Sequence, residues 1–310
     1  MILKKTCVLY LYLKLLMLFF VYIPTIVCFI LYLNFVFIYL SRIDLISMQM
    51  PKYLFLTLFC VFGFTNSTNA QFGFSHEIGA IAGPVAFQSD YGQRYNLSTN
   101  AGNTGYGIGI IHYLNFSYKA ECNCYTPETY FNDHFKLRSE LSYNKTNLKH
   151  YGRWVDPSDT STFANQLRAM RGSTAVTNIG MQLEYFPLSI REFTSRIGAL
   201  APFVSLGAQF SFYDPESYST LGPVGSPLAY PVKYLDGATT NQGGTVWSIV
   251  TSIGCRYKLT PLSDLMLDLR WQYYFSNWVD GLNPNPRVYT ENRANDWLVW
   301  LNFGYIYYLQ

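Results

Sequence analysis

The chain has 310 residues, 18% of them aromatic and only 13% charged, with a formal net charge of +3. An ordinary soluble domain carries roughly 25% charged residues, so this chain lacks the charge to cover a large water-facing surface. It has no basic run or patch of the kind that grips nucleic acid.

Residues 1–49 are almost wholly apolar, as in "LYLYLKLLMLFFVYIPTIVCFILYLNFVFIYL". That is longer than the roughly 20 residues a transmembrane helix needs. A second export signal follows at once. Met50 (or Met48) precedes Lys52, an apolar stretch from Tyr53 to Phe64, and a small-residue exit, Thr68-Asn69-Ala70, before Gln71. This is the layout of a secretory signal peptide cleaved after Ala70. Thr57-Leu58-Phe59 ahead of Cys60 lacks the small residues of a lipoprotein cleavage site, so a lipid anchor is rejected. Two export signals in series are redundant, and 1–49 is built mostly from the residue types that AT-rich DNA encodes. The preferred reading is a start codon assigned too far upstream; the alternative is a true membrane helix. The expected organisation is a 1–49 extension, a 50–70 signal peptide and a 71–310 domain.

Eight strand-like segments follow, at roughly 74–88, 104–118, 134–150, 171–186, 199–213, 245–259, 264–276 and 295–309. Successive strand side chains point to opposite faces, and several segments divide cleanly on that period. In "FKLRSELSYN", Phe135, Leu137, Leu141 and Tyr143 oppose Lys136, Arg138, Glu140, Ser142 and Asn144. In "NIGMQLEYF", Ile179, Met181, Leu183 and Tyr185 oppose Asn178, Gly180, Gln182 and Glu184. In "LMLDLRWQYYF", Leu265, Leu267, Leu269, Trp271, Tyr273 and Phe275 oppose Asp268, Arg270, Gln272 and Tyr274. These strands meet or exceed the ~9–11 residues that cross a bilayer at a tilt, whereas soluble strands usually run about 5–6. The expected fold is all-β: an eight-stranded, antiparallel, up-and-down transmembrane barrel, apolar outside and polar inside, set in bacterial outer-membrane lipid.

With both ends of the mature chain periplasmic, connections 89–103, 151–170, 214–244 and 277–294 face outward, and 119–133, 187–198 and 260–263 face the periplasm. Long loops outside and short turns inside are the expected asymmetry, although 119–133 is long for a turn. Pro215, Pro223, Pro227 and Pro231 are assigned to the third outer loop, where a missing N–H harms no ladder. In the last strand Trp297 and Tyr307 are expected near the two membrane interfaces. The segment Asn302-x-Gly304-x-x-Tyr307-x-Leu309 resembles the C-terminal signal, polar-x-Gly-x-x-aromatic-x-aromatic, that the barrel-assembly machinery reads. Leu309 stands where an aromatic is usual, and Gln310 follows it.

The polar faces supply Glu77, Lys136, Arg138, Glu140, Glu184, Arg256, Lys258, Asp268 and Arg270 as lumen residues. Eight strands leave room only for side chains, so opposite charges there are expected to pair; the alternative is a narrow gated pore. Of six cysteines, Cys7, Cys28 and Cys60 fall in the leader, and the remaining three cannot form a disulfide framework. Cys122 and Cys124 form a Cys-x-Cys, open to readings as a strained redox pair, a metal site needing further ligands beyond His134, or no special role. Cys255, on the lipid parity, reads as a small hydrophobe. His112 lies near Ser117, and His150 lies near Asp156 and Ser158, so a hydrolytic set can be drawn only on paper. Gly105, Gly107 and Gly109 mark a bend or a close approach inside the barrel. No cofactor is expected.

"FSHEIGAIAG" just after "NAQ", the glycine-rich "GYGIGIIHYLNFSY", the exit "YYFSNWVDGLNP" and the closing strand carry a resemblance. On these the chain resembles the small eight-stranded outer-membrane barrels of Bacteroidota, and is similar in layout to OmpA-like and PorG-like barrels. The resemblance spans most of 71–310 and implies topology more than a task. It implies a non-enzymatic envelope component, with periplasmic or type IX secretion proteins as partners. The alternatives are a narrow passive channel for small or apolar solutes and, behind it, a membrane-embedded enzyme.

Overall fold

The computed structural model describes residues 74–93, 96–118, 129–235 and 237–309. Contacts divide the chain at Gln71/Phe72, and every described residue belongs to the second unit. The apolar extension, the signal-peptide segment, Cys122, Cys124 and Gln310 all lie outside the described residues.

Eight strands, β1 (Phe74–Gln88), β2 (Thr104–Tyr118), β3 (Phe135–Lys149), β4 (Met170–Tyr185), β5 (Leu200–Ser219), β6 (Gly244–Thr260), β7 (Ser263–Tyr274) and β8 (Trp297–Leu309), pair in sequence order. β1 and β8 join to close the barrel, and all pairings are antiparallel. Closure pairs each strand on both sides over the body of the barrel, which is what a bilayer demands of a sheet, because no water is present there to satisfy open N–H and C=O groups. The strands are tilted by a register stagger. Following paired residues from Glu77 through Tyr113, Arg138, Gln182, Gly207, Val250, Gln272 and Leu298 returns to β1 at Phe87, ten residues further along. This shear brings charges that are distant in sequence to one height in the lumen.

The period-2 pattern sorts as polarity dictates. Leu206, Ile253 and Phe303 point outward and are more than half exposed, while Asn302, Arg270 and Gln182 on the opposite parity are buried. A continuous exposed apolar wall of this kind is unstable in water and stable in lipid. Aromatic rings crowd both rims. Phe210 packs on Trp247 at 5.1 Å and Trp271 on Trp297 at 6.5 Å at one end. Phe135 packs on Tyr185 at 5.1 Å at the other. Such girdles sit where headgroups meet acyl chains. The fold is a transmembrane β-barrel.

The two ends differ in their connections, although 119–134 and 186–199 at the end with the two-residue turn (the short-turn end) are about as long as the shortest loop opposite. At the short-turn end, β3 is preceded by α1 (Tyr130–His134), capped by Thr129, and β4 and β5 are joined through α3 (Ile190–Ser195), capped by Ser189. Two residues join β6 to β7. At the other end are four long loops: L1 (89–103), L2 (150–169), L3 (220–243) and L4 (275–296). L2 contains α2 (Thr162–Ala169), whose Ser161 N-cap accepts from the Ala164 N–H.

One strand departs from the sequence reading. β5 continues to Ser219, so Pro215 lies in a strand, paired with Thr174 of β4, and not in the third loop. The reason is register. β6 stops pairing with β5 at Tyr213, so beyond it β5 is an edge, where a residue without an N–H is tolerated.

Candidate functional site in the lumen and the loop cap

All nine lumen residues expected from parity point inward and are at most 4% exposed. The structure adds three that the reading missed: Asp264, Tyr113 and Tyr308. Asp264 shares the parity of Asp268 and Arg270, so the alternation itself contained the signal; it sits at the strand start, where the boundary was set.

Five buried cations (Lys136, Arg138, Arg256, Lys258, Arg270) face five buried carboxylates (Glu77, Glu140, Glu184, Asp264, Asp268). They form two linked clusters. Near the short-turn end, Glu77 takes Lys136 Nζ at 2.6 Å and an Arg256 guanidinium nitrogen at 2.7 Å, and Asp264 lies 3.5 Å from Arg256 and 3.2 Å from Lys258. Deeper in the barrel, Arg270 forks onto both oxygens of Glu140 at 2.5 and 2.6 Å. Arg138 reaches Glu140 at 2.8 Å and Asp268 at 3.1 Å. Glu184 joins the clusters, 3.3 Å from Arg138 and 3.8 Å from Arg256. Tyr113 and Tyr308 donate hydroxyls to Glu184 (2.9 Å) and Asp264 (2.7 Å). Their rings also lie against cations, Arg256 at 4.0 Å from Tyr113 and Lys258 at 3.6 Å from Tyr308. Such pairs in a low dielectric are tolerable where partners replace the lost water, and here the opposite charges do so while Arg138 Nε, Arg256 Nε and Arg270 Nε have no hydrogen-bond partner among the described residues.

Beyond the charges lies a neutral polar layer, in which Gln272 Nε2 donates to Asn178 (3.0 Å) and Ser248 (2.9 Å), and Ser211 donates to Asn178 (2.7 Å). Trp300 of β8 then reaches over β1 onto Gly107 of β2. A Cβ at Gly107 would fall 2.5 Å from its ring, which is why the glycine-rich β2 has no side chain there. The Arg270 guanidinium covers the other side of Trp300 at 4.9 Å.

The loops form a second polar assembly. Asp90 in L1 is its hub. Its N–H donates to Asp280 at 2.5 Å, its carboxylate accepts from Asn277 (2.9 Å) and Asn292, and its carbonyl accepts from Tyr234 (2.8 Å). One residue thereby ties L1 to L3 and L4. Asp296 accepts from the N–H groups of Val279 (2.9 Å) and Asp280 (3.2 Å), closing L4 on itself. L2 joins through Gln166, which donates to the Pro227 and Leu228 carbonyls of L3. β4 anchors L4 through Thr174, which donates to the Val279 carbonyl at 2.6 Å.

The paper hydrolytic sets do not assemble. Asp156 accepts from Ser158 at 2.5 Å, and among the described residues no hydrogen bond joins His150 to either. The His150 ring packs between Tyr91 and Tyr234 instead, with centroids at 5.1 and 5.7 Å. His112 is outward-facing and meets His76, ring nitrogens 3.1 Å apart, so its partner is another imidazole. Cys255 is a free cysteine on the outer face. Among the described residues no group of three or more His, Cys, Asp or Glu side chains is placed to hold a metal. In β8, Asn302 points inward while Tyr307 and Leu309 point outward, and the Gly304 backbone passes close to Met266 and Ile81.

No family model and no curated protein matches this sequence. Solved structures that match include several outer-membrane proteins. Neisserial surface protein A is 16% identical, with a TM-score of 0.36, over 75% of this chain and 96% of that one. A major outer membrane protein from Thermus thermophilus is 12% identical, TM-score 0.38, over 76% and 99%. OprG from Pseudomonas aeruginosa is 9% identical, TM-score 0.33, over 76% and 94%.

Proposed function

We propose that this chain is a non-enzymatic outer-membrane barrel that works as a membrane-fixed scaffold: a structural or secretion-complex component of the envelope, of the type IX kind. The observation that carries the scaffold reading is the ion-pair network across the lumen, in which each of the five buried cations has a carboxylate within 3.2 Å. A lumen crossed by such a network favours a role for the two ends of the barrel over passage through it. In this reading both termini of the mature domain are periplasmic, the loop cap faces outward, and the Asn302, Gly304, Tyr307 and Leu309 pattern is read during assembly. The short-turn end, with α1 and α3, offers the periplasmic contact surface. The secretion assignment rests on the sequence resemblance alone. The test is a pull-down of the tagged protein from detergent-solubilised outer membranes with mass spectrometry of what is recovered. Reproducible recovery of secretion or periplasmic anchoring proteins is expected. A bait that returns alone under mild detergent contradicts the scaffold reading.

A further inference from the structure

The cap contains one feature that scaffolding does not require. All four loops meet around a pocket of about 420 Å³, within the roughly 300–1,000 Å³ typical of small-molecule sites. Its walls are aromatic: Tyr151, Trp154 and Phe163 from L2, Tyr234 from L3 and Tyr289 from L4. Trp154 and Phe163 remain more than 40% exposed, and the Arg153 guanidinium lies over the Trp154 ring at 4.4 Å.

Between the rings stand hydrogen-bonding groups from every loop, Gln93, Thr99, Gln166, Lys233, Glu291 and His150. Two observations narrow the ligand. Lys233 and Glu291 are the formal charges among the described lining residues, and they are already joined at 2.8 Å; a charged ligand would have to displace one of them. In addition, the side chains of Gln93, Thr99 and Gln166 line the pocket, and polar groups of this kind favour a ligand able to hydrogen-bond. A purely apolar ligand would strip water from this polar set and return nothing.

We propose that the pocket binds an uncharged saccharide ring. The C–H faces of a pyranose lie against Trp154 and Tyr289, and its hydroxyl edge meets Gln93, Glu291 and Lys233. Both halves of the site are then used, the rings by the sugar's apolar face and the polar groups by its hydroxyls. The inference goes beyond the scaffold reading and is independent of it, since it concerns only the cap.

The experiment is saturation-transfer difference NMR on the full chain in detergent micelles, with glucose, galactose, mannose, N-acetylglucosamine, lactose and maltose as probes, and with glucuronate and p-cresol as charged and apolar comparators. Transfer to at least one neutral sugar is expected, with ring C–H protons strongest. Glucuronate should bind at least tenfold more weakly. Trp154→Ala should weaken binding at least tenfold, and Gln93→Ala severalfold, both with unchanged heat-modifiable migration that reports an intact barrel. The Gln93 variant keeps the test valid if the Trp154 variant disturbs L2. Absence of transfer to every neutral sugar at millimolar concentration, binding that survives both substitutions, or binding of p-cresol alone would overturn the proposal.

Discussion

The lumen and the loop cap are both polar assemblies buried in one molecule, and they are built by opposite means. In the lumen the backbone is fixed by a closed ladder that sets each Cβ, and charges pair across it, carboxylate to guanidinium or ammonium. In the cap the backbone is irregular, and the side chains are what fix it. The side chains of Asp280, Asp296 and Gln166 accept from or donate to main-chain groups that no ladder satisfies. The lumen therefore concentrates its energy in a few strong, mutually dependent contacts, whereas the cap spreads it over many weaker ones that a small pocket can interrupt.

The largest effect should come from the lumen. Arg138→Ala leaves Glu140, Glu184 and Asp268 facing one another without their shared cation, and breaking a buried pair in this way costs roughly 3–5 kcal/mol. Urea unfolding in detergent should report that loss. A change below about 1 kcal/mol would mean that water reaches the network and that the lumen is not packed as described. Gly107→Val comes next. Its side chain meets Trp300, and overpacking of this kind costs typically ~1–3 kcal/mol, measurable as a lower temperature for the heat-modifiable shift.

Asp90→Ala should separate the two regions. It removes the acceptor for Asn277 and Asn292 and costs ~1–3 kcal/mol, but only within the loops. Limited proteolysis should cut L1 or L4 faster while barrel migration stays unchanged; a barrel that unfolds with the loops would show the two regions to be one cooperative unit.

A smaller effect is expected from pH. Burial, with the nearby charges of Lys233 and Arg171, pushes the His150 imidazole down to about 3 from its usual 6.5. Because the folded value lies below the unfolded one, protonation favours the opened loops. The cap's contribution is complete above about 6.5 and falls as pH drops toward 3. Amide exchange at Tyr151 and Tyr234, corrected for intrinsic rates, should quicken between pH 6.5 and 4, and His150→Phe should flatten that slope. Smallest of all, Lys233→Met breaks a partly exposed bridge worth at most about 1 kcal/mol.

The lumen was legible in the sequence because strand parity is a local signal. Arg138 and Glu140 are two residues apart and therefore face the same way, and the same alternation assigns Asp268 and Arg270. Which cation meets which carboxylate was not legible, because that depends on the ten-residue stagger accumulated around the barrel, as when Arg270 meets Glu140. The end of β5 was misplaced because Pro215 reads as a loop residue until its neighbour β6 is known to have ended. The cap was hidden for a further reason. Asp90 is 190 residues from Asp280 and 202 from Asn292, and irregular backbone has no period from which such a meeting can be read. Trp154 and Tyr289 look like ordinary loop residues until the loops are folded together.

Planar-bilayer recording of the purified barrel tests the central claim, that the lumen is filled by its ion pairs and the protein is a scaffold with a folded cap. The account predicts a silent membrane, with no unitary steps at any voltage the bilayer withstands. Reproducible steps from the unaltered protein, increased by Arg270→Ala, would contradict it and turn the same residues into the gate of a pore.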